Sequence, residues 1–244
     1  MSGGVSRGGE VGFCPALRYI PETMHLFFSL RLRAAACVAV VLLLAGCATL
    51  REPAGPSSQT EGVELSPLQH RVAQSALSLV GRRVLRIDGR RFRYDCTGTI
   101  LAAHYAAGID LEKRFREYTG NGVARLYKLA RAEDLLAGDR TPRPGDILFW
   151  DNTYDRNGDE AWNDPLTHAG IVVRAYPDGR IDYVHHNYRE GIVVARMNLS
   201  SPDTHHRDGT LVNSPMRMKS HRHLAPSKWL SSHLYRTSGR LHEL

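Results

Sequence analysis

Cysteine is scarce in this sequence, with four occurrences among 244 residues. Three of them lie within the first 47 residues, so the rest of the chain holds only Cys96. A segment with a single thiol cannot form an internal disulfide, which excludes a disulfide-stapled scaffold. Because an unpaired thiol is a liability in an oxidising compartment, Cys96 requires a chemical explanation.

The sequence also has no long run of lysine and arginine, although its formal charge is +7 and its pI is near 9.4. The basic residues are scattered and are not interleaved with aromatic residues, so we expect no nucleic-acid partner. No repeat of fixed period is apparent. A hydrophobic content of 42% and a charged content of 23% are ordinary for a globular domain.

An uncharged apolar run covers residues 34–46 and is too short to anchor the chain alone. As a helix it would span about 20 Å, against a hydrocarbon core of roughly 30 Å. Arginines precede the run and Cys47 follows it, which predicts a signal peptide over residues 1–46. Residues 1–23 are unusually Gly-rich for such a segment, which makes Met24 an alternative start.

The segment Leu44-Ala45-Gly46-Cys47 resembles the bacterial lipobox, whose cysteine is acylated before cleavage. The resemblance implies a mature protein that begins at an acylated Cys47 and is anchored to a membrane by its lipid. Ala48 in the next position favours the outer membrane, with the protein facing the periplasm. Residues 47–66 are rich in proline and serine and predict a flexible tether, which leaves residues 67–244 as the folded domain.

Three helices are predicted in the first half of the domain. Ser66-Pro67-Leu68-Gln69 has the form of a capping box and begins a helix that ends near Gly81. A second helix covers residues 96–107 and stops at a glycine, and a third covers residues 123–131.

Strand patterns replace the helical ones after residue 142. Apolar and β-branched segments at residues 146–150, 168–176, 180–187 and 191–197 are separated by a polar loop and tight turns. The last three predict an antiparallel meander. Helices followed by strands predict an α+β fold with the N-terminal helices packed on an antiparallel β-sheet.

The predicted second helix places Cys96 in its first turn. A helix N-terminus offers partial positive charge and free N–H groups, which favour a thiolate and an oxyanion. The N–H groups of Cys96 and Thr97 are the candidate oxyanion donors. A cysteine nucleophile also needs a base, and His168 opens a strand of the sheet on which this helix is expected to pack.

Three motifs occur in order: Tyr94-Asp95-Cys96-Thr97-Gly98, Pro144-Gly145-Asp146-Ile147-Leu148-Phe149 and His168-Ala169-Gly170-Ile171-Val172. This pattern resembles the NlpC-type papain-like cysteine peptidases and, more distantly, CHAP-type amidases, over about residues 67–200. The resemblance implies a papain-like core, hydrolysis of peptide bonds in peptidoglycan stem peptides, and no required cofactor. Catalysis would use Cys96 as nucleophile and His168 as base.

The family's third catalytic residue follows a short apolar pair on the next strand, and Tyr183-Val184-His185 repeats that pattern. Strand alternation puts His185 and the alternative Asn187 on one face and His186 on the other. We therefore assign the orienting role to His185. Two other residues receive structural interpretations: Asp95 caps the helix, and His104 is a packed or surface histidine.

The sequence departs from the family in two places. Arg82-Arg83-Val84-Leu85 replaces the Pro-Tyr and Gly-Gly segment that precedes the cysteine, which affects the expected substrate specificity. The loop of residues 151–167 is longer than the family needs, and the chain beyond residue 200 has no counterpart there.

Several alternatives remain open at this stage. Eight of the twelve histidines follow residue 180, which is the basis for a zinc hydrolase, although no His-Glu-x-x-His motif occurs. An N-acetylmuramoyl amidase of the same fold and a non-catalytic wall-binding lipoprotein are the others.

The polar loop also contains a partial calcium motif. Asp155, Asn157 and Asp159 stand at alternate positions, as in a dockerin-like loop. Glu160 replaces the usual glycine and Leu166 stands where the final acid is expected. A calcium site and an ion-free polar loop are both consistent with this pattern.

Overall fold

The computed structural model of the chain describes residues 64–244. The predicted signal peptide, the alternative start at Met24, the acylated Cys47 and most of the tether lie outside these residues. Within the described part, no helix has the length and apolar character needed to cross a bilayer.

The four longer α-helices precede the main sheet, as predicted, although a short hairpin lies between the first two helices and a short helix precedes the last strand. The helices are α1 (Pro67–Ser78), α2 (Cys96–Ala106), α3 (Leu111–Phe115), α4 (Gly122–Ala132) and α5 (Ser231–Leu234), with 3-10 helices at Lys219–Leu224 and Leu241–Glu243. The strands are β1 (Arg86–Ile87), β2 (Arg90–Arg91), β3 (Ile147–Trp150), β4 (His168–Ala175), β5 (Arg180–Asn187), β6 (Gly191–Asn198), β7 (His206–Arg207), β8 (Thr210–Leu211) and β9 (Tyr235–Gly239).

Five strands form one antiparallel sheet in the order β6-β5-β4-β3-β9, and the other four form two short hairpins. Helices α1 and α2 pack against β4. The predicted α+β class and the β4-β5-β6 meander are therefore confirmed. The prediction missed α3 and β9, and β9 completes the sheet at the side of β3.

The two helices that support the site begin where their capping residues predict. Ser66 and Gln69 form the complete capping box of α1, with Gln69 N donating to Ser66 Oγ and Ser66 N donating to Gln69 Oε1. Asp95 caps α2 and leaves Cys96 as the first helical residue. The predicted capping role of Asp95 is thus confirmed.

The sheet has an apolar core on each face. Val184 of β5 packs with the core under the helices, whereas Tyr183 packs with Trp150 and Leu234 on the opposite face. This alternation follows the predicted register of β5. The second face is covered by the chain beyond residue 200, and there Trp150 Nε1 donates to the carbonyl oxygen of Ser231 at 2.8 Å.

Candidate active site

The first turn of α2 begins with Cys96 and is closed by the side chain of Asp95. Asp95 Oδ1 accepts from Gly98 N at 2.7 Å. In the described part of the chain, the N–H groups of Cys96 and Thr97 have no carbonyl partner, because they belong to the first helical turn. A Cβ at Gly98 would lie 1.9 Å from the carbonyl oxygen of Arg93, so this turn requires glycine.

The Cys96 thiol is partly buried at the boundary between α2 and the sheet. Burial raises the pKa of this thiol to about 11, and the neighbouring Asp95 carboxylate adds to the increase. The Thr97 side chain and the backbone N–H groups of Ala169 and Thr97 act in the opposite direction. The predicted stabilisation of the thiolate by the helix N-terminus is therefore outweighed by desolvation, which the sequence does not reveal.

His168 lies at the beginning of β4, directly before the residue whose N–H faces the Cys96 thiol. Its Nε2 atom is 2.8 Å from Nδ1 of His185, and the two rings meet edge to face. His185 is only 4% exposed. Burial lowers the pKa of His168 to about 4 and that of His185 well below its ordinary value, so both rings are neutral at neutral pH.

Gly170, in the third sequence motif, makes room for this histidine pair. It stands opposite His185 in the register of β4 and β5. A Cβ at this position would lie 2.9 Å from the Val184 carbonyl oxygen and 3.2 Å from His185 Cβ. Any larger residue would push the two strands apart and separate the rings.

The remaining candidates from the sequence are held by other contacts, although His186 and Asn187 also line the cavity around Cys96. Asn187 Oδ1 accepts from Arg189 N at 2.9 Å, so its amide organises the turn between β5 and β6. His186 packs edge to face on Tyr94. His104 is fully buried, and its Nδ1 lies 2.9 Å from the Ile100 carbonyl oxygen, which makes it a packed histidine.

The second sequence motif supports the sheet and contributes no side chain to the cavity. Asp146 is fully buried just before β3. Its Oδ2 accepts from Arg143 N at 2.8 Å and from Arg140 Nη2 at 2.6 Å. Burial raises the pKa of this carboxyl group, and the hydrogen bonds from Arg143 and Arg140 oppose that rise. The motif therefore has a structural explanation, since it fixes the turn that starts β3.

A cavity of about 800 Å³ opens over Cys96, His168 and His185. Sequence reasoning missed Tyr154 in its wall. Burial raises the pKa of the Tyr154 hydroxyl, and a charge on Cys96 raises it further. The preceding residue, Thr153, is tied to the residue before His168, because its N–H donates to Thr167 Oγ1 at 2.9 Å.

The acidic side chains of the polar loop mostly bond within the loop. Asp155 accepts from Gly158 N and Glu160 N, and Asp159 accepts from the amide groups of Asn157 and Asn163. Those amides and the Ala161 N–H lower the pKa of Asp159. Calcium binding here stays a prediction. Over residues 64–244, no cluster of three or more His, Cys, Asp or Glu residues has the arrangement of a metal site.

Comparison of the chain with models of known protein families and with curated proteins finds no match.

Proposed function

We propose that the protein is a cysteine hydrolase with a papain-like core that cleaves peptide bonds in peptidoglycan stem peptides. The observation that carries the proposal is the meeting of three groups at one cavity. These are the Cys96 thiol at a helix N-terminus, His168 in the wall of the same cavity, and His185, whose Nδ1 is 2.8 Å from Nε2 of His168. Nucleophile, base and orienting residue are the parts that acyl transfer by a cysteine needs.

The contact between the His168 and His185 rings determines which nitrogen of His168 is available to take up a proton. Because His168 Nε2 is engaged by His185, its Nδ1 is the nitrogen that accepts the Cys96 proton. In the neutral resting state, His168 Nε2–H then donates to His185 Nδ1. Since burial keeps both Cys96 and His168 neutral, the proton moves as the sulfur attacks and no ion pair exists beforehand.

The bond changes are those of a two-step hydrolysis. Cys96 Sγ bonds to the amide carbon, and the carbonyl electrons move to the oxygen, which faces N–H groups at the start of α2. Collapse of this intermediate breaks the C–N bond, and His168 returns the proton to the leaving nitrogen. Water then hydrolyses the thioester with His168 as base, which releases the acid and restores the thiol.

The proposed substrate and cellular location are inferred from the sequence motifs. The three ordered motifs favour peptidoglycan, and the lipobox favours a protein anchored to the outer membrane through Cys47. Among the alternatives, the geometry at Cys96 favours thiol chemistry over a zinc hydrolase or a non-catalytic wall-binding protein.

The deciding experiment is mass analysis of muropeptides after digestion by the wild type and by Cys96→Ser. We expect cleavage within the stem peptide by the wild type and none by the variant. Release of intact stem peptides from muramic acid would assign an amidase. Binding to sacculi without any released fragment, in reducing buffer, would contradict the proposal, as would activity that a chelator abolishes and thiol alkylation does not.

A further inference from the structure

The side chains that line the active-site cavity are unbalanced in charge. Six cationic side chains in its wall have no carboxylate oxygen within 4.0 Å among residues 64–244. They are Arg91, Arg125, Arg189, Arg217, Lys219 and Arg222. Arginine and lysine without an ionic partner attract anions into a cleft, where low-dielectric walls strengthen the field.

The acidic groups of the same wall do not offset these cations. Asp95 is paired with Arg93 Nε at 2.9 Å. Glu112 is held by Arg90 and by Arg116, the latter at 2.7 Å. Only Glu190 is left as an unpaired carboxylate in the described part of the wall. The cavity therefore presents a net positive field beside Cys96.

Three of the six cations come from the chain beyond residue 200, and two of them, Lys219 and Arg222, lie on the 3-10 helix Lys219–Leu224. This segment is fastened to the rest of the cavity. Met218 N donates to the Thr153 carbonyl oxygen at 2.8 Å, and Arg217 donates to the backbone carbonyls of Asn152 and His221. Arg222 itself lies over the Trp229 ring at 4.3 Å. The wall is thus held by backbone contacts and aromatic stacking.

We propose that Lys219 and Arg222, here called the C-terminal wall, bind a carboxylate of the substrate and so select acidic peptides. The inference deepens the proposed function and rests on it for the identity of the reaction. Guanidinium and ammonium groups form charge-assisted hydrogen bonds with carboxylates. An acidic peptide is therefore a suitable ligand for a cleft that contains both these cations and the proposed nucleophile. The class of substrate is a peptide that carries a free carboxylate.

The first test uses the thiol as a probe and needs no hydrolysis. Iodoacetate and iodoacetamide alkylate Cys96 by the same chemistry, but only iodoacetate is anionic. Rates at Cys96 are measured at fixed pH by mass analysis of the peptide that contains it. The variants are Lys219→Gln/Arg222→Gln and, as a matched control, Arg207→Gln/Lys228→Gln, which removes two cations outside the cavity.

We expect the ratio of the iodoacetate rate to the iodoacetamide rate to fall about threefold to fivefold in the wall variant at low salt. The control should leave the ratio within about 1.5-fold of the wild type, because its charges lie outside the cavity. Added salt should lower the wild-type ratio toward that of the wall variant. An unchanged ratio in the wall variant, with its thermal unfolding unaltered, would overturn the proposal.

The second test measures binding to Cys96→Ala by calorimetry, with and without the wall substitutions. The probes are a γ-glutamyl-linked acidic peptide, the same peptide with amidated carboxyl groups, and inorganic phosphate. The proposal is supported if the free acid binds more tightly than the amide and this preference disappears in the wall variant. Tightest binding of phosphate would assign the wall to phosphate groups and overturn the carboxylate assignment. If the wall preference holds and no muropeptide is cleaved, the proposed function fails while the wall stands.

Discussion

Replacing His185 tests the orienting role most directly. In His185→Ala, His168 Nε2 loses the partner that lies 2.8 Å away. A neutral hydrogen bond contributes about 0.5–1.5 kcal/mol, and one to a charged group about 1.5–3 kcal/mol. Because His168 becomes positively charged only as the thiol is deprotonated, the difference of about 1–2 kcal/mol is lost from the transition state. We therefore expect kcat to fall about 5- to 30-fold.

The assay is steady-state cleavage of a purified muropeptide, with KM measured separately and folding checked by circular dichroism. His186→Ala is the matched control, because it removes the adjacent ring of the same strand, and we expect its kcat to stay within about threefold of the wild type. His185→Gln retains an acceptor and should recover part of the loss. If His186→Ala is the more damaging change, or if His185→Ala lowers stability but leaves kcat unchanged, the orienting role is refuted.

Four further predictions concern pH and location. Alkylation of Cys96 by iodoacetamide should still rise about tenfold per pH unit between pH 8 and 10, because burial raises its pKa to about 11, and a plateau below pH 9 would contradict this. Activity should rise with pH through about 4, where His168 loses its proton, and stay level to neutrality in a kcat/KM profile. Burial lowers the pKa of His104 to about 4, so the unfolded state binds more protons between pH 6.5 and 4 and stability falls as the pH drops through that window. The loss is about 2 kcal/mol at pH 5, and urea unfolding at pH 7 and 5 should show a smaller difference for His104→Gln. Cys47→Ala should move the protein from the membrane to the soluble fraction, and an uncleaved, membrane-bound variant would contradict lipidation.

The parts of the fold that local patterns encode could be predicted from the sequence. The Ser66 capping box and the Asp95 cap mark helix starts by side-chain chemistry that acts over three residues. The alternation in β5 likewise follows from apolar residues at every second position, so Tyr183 and Val184 could be placed on opposite faces.

Elements that depend on distant contacts could not be predicted. Strand β9 contains Thr237, Ser238 and Gly239, which give no apolar alternation, and it exists because β3 offers it an unpaired edge. Helix α3 is only five residues long, too short for a periodic pattern to identify.

The candidate site also has parts that local patterns predict and parts that depend on distant contacts. The motifs led to Cys96, His168 and His185, but the depth of burial that sets their pKa values arises from packing across the whole domain. The cations of the C-terminal wall could not be found at all, since nothing local in residues 219–222 indicates that they face a thiol more than a hundred residues earlier in the chain.

The position of β9 has a consequence for how the protein is made. Cys96 and His168 leave the ribosome before residues 235–239, so one edge of β3 stays unpaired until those residues have been made. The indole N–H of Trp150 likewise has its hydrogen-bond acceptor, the Ser231 carbonyl oxygen, only after residue 231 has been made. A chain cut before residue 230 would still contain Cys96, His168 and His185 but would lack β9 at the edge of the sheet. The sheet that carries His168 and His185 is therefore complete only after residues 235–239 have been made.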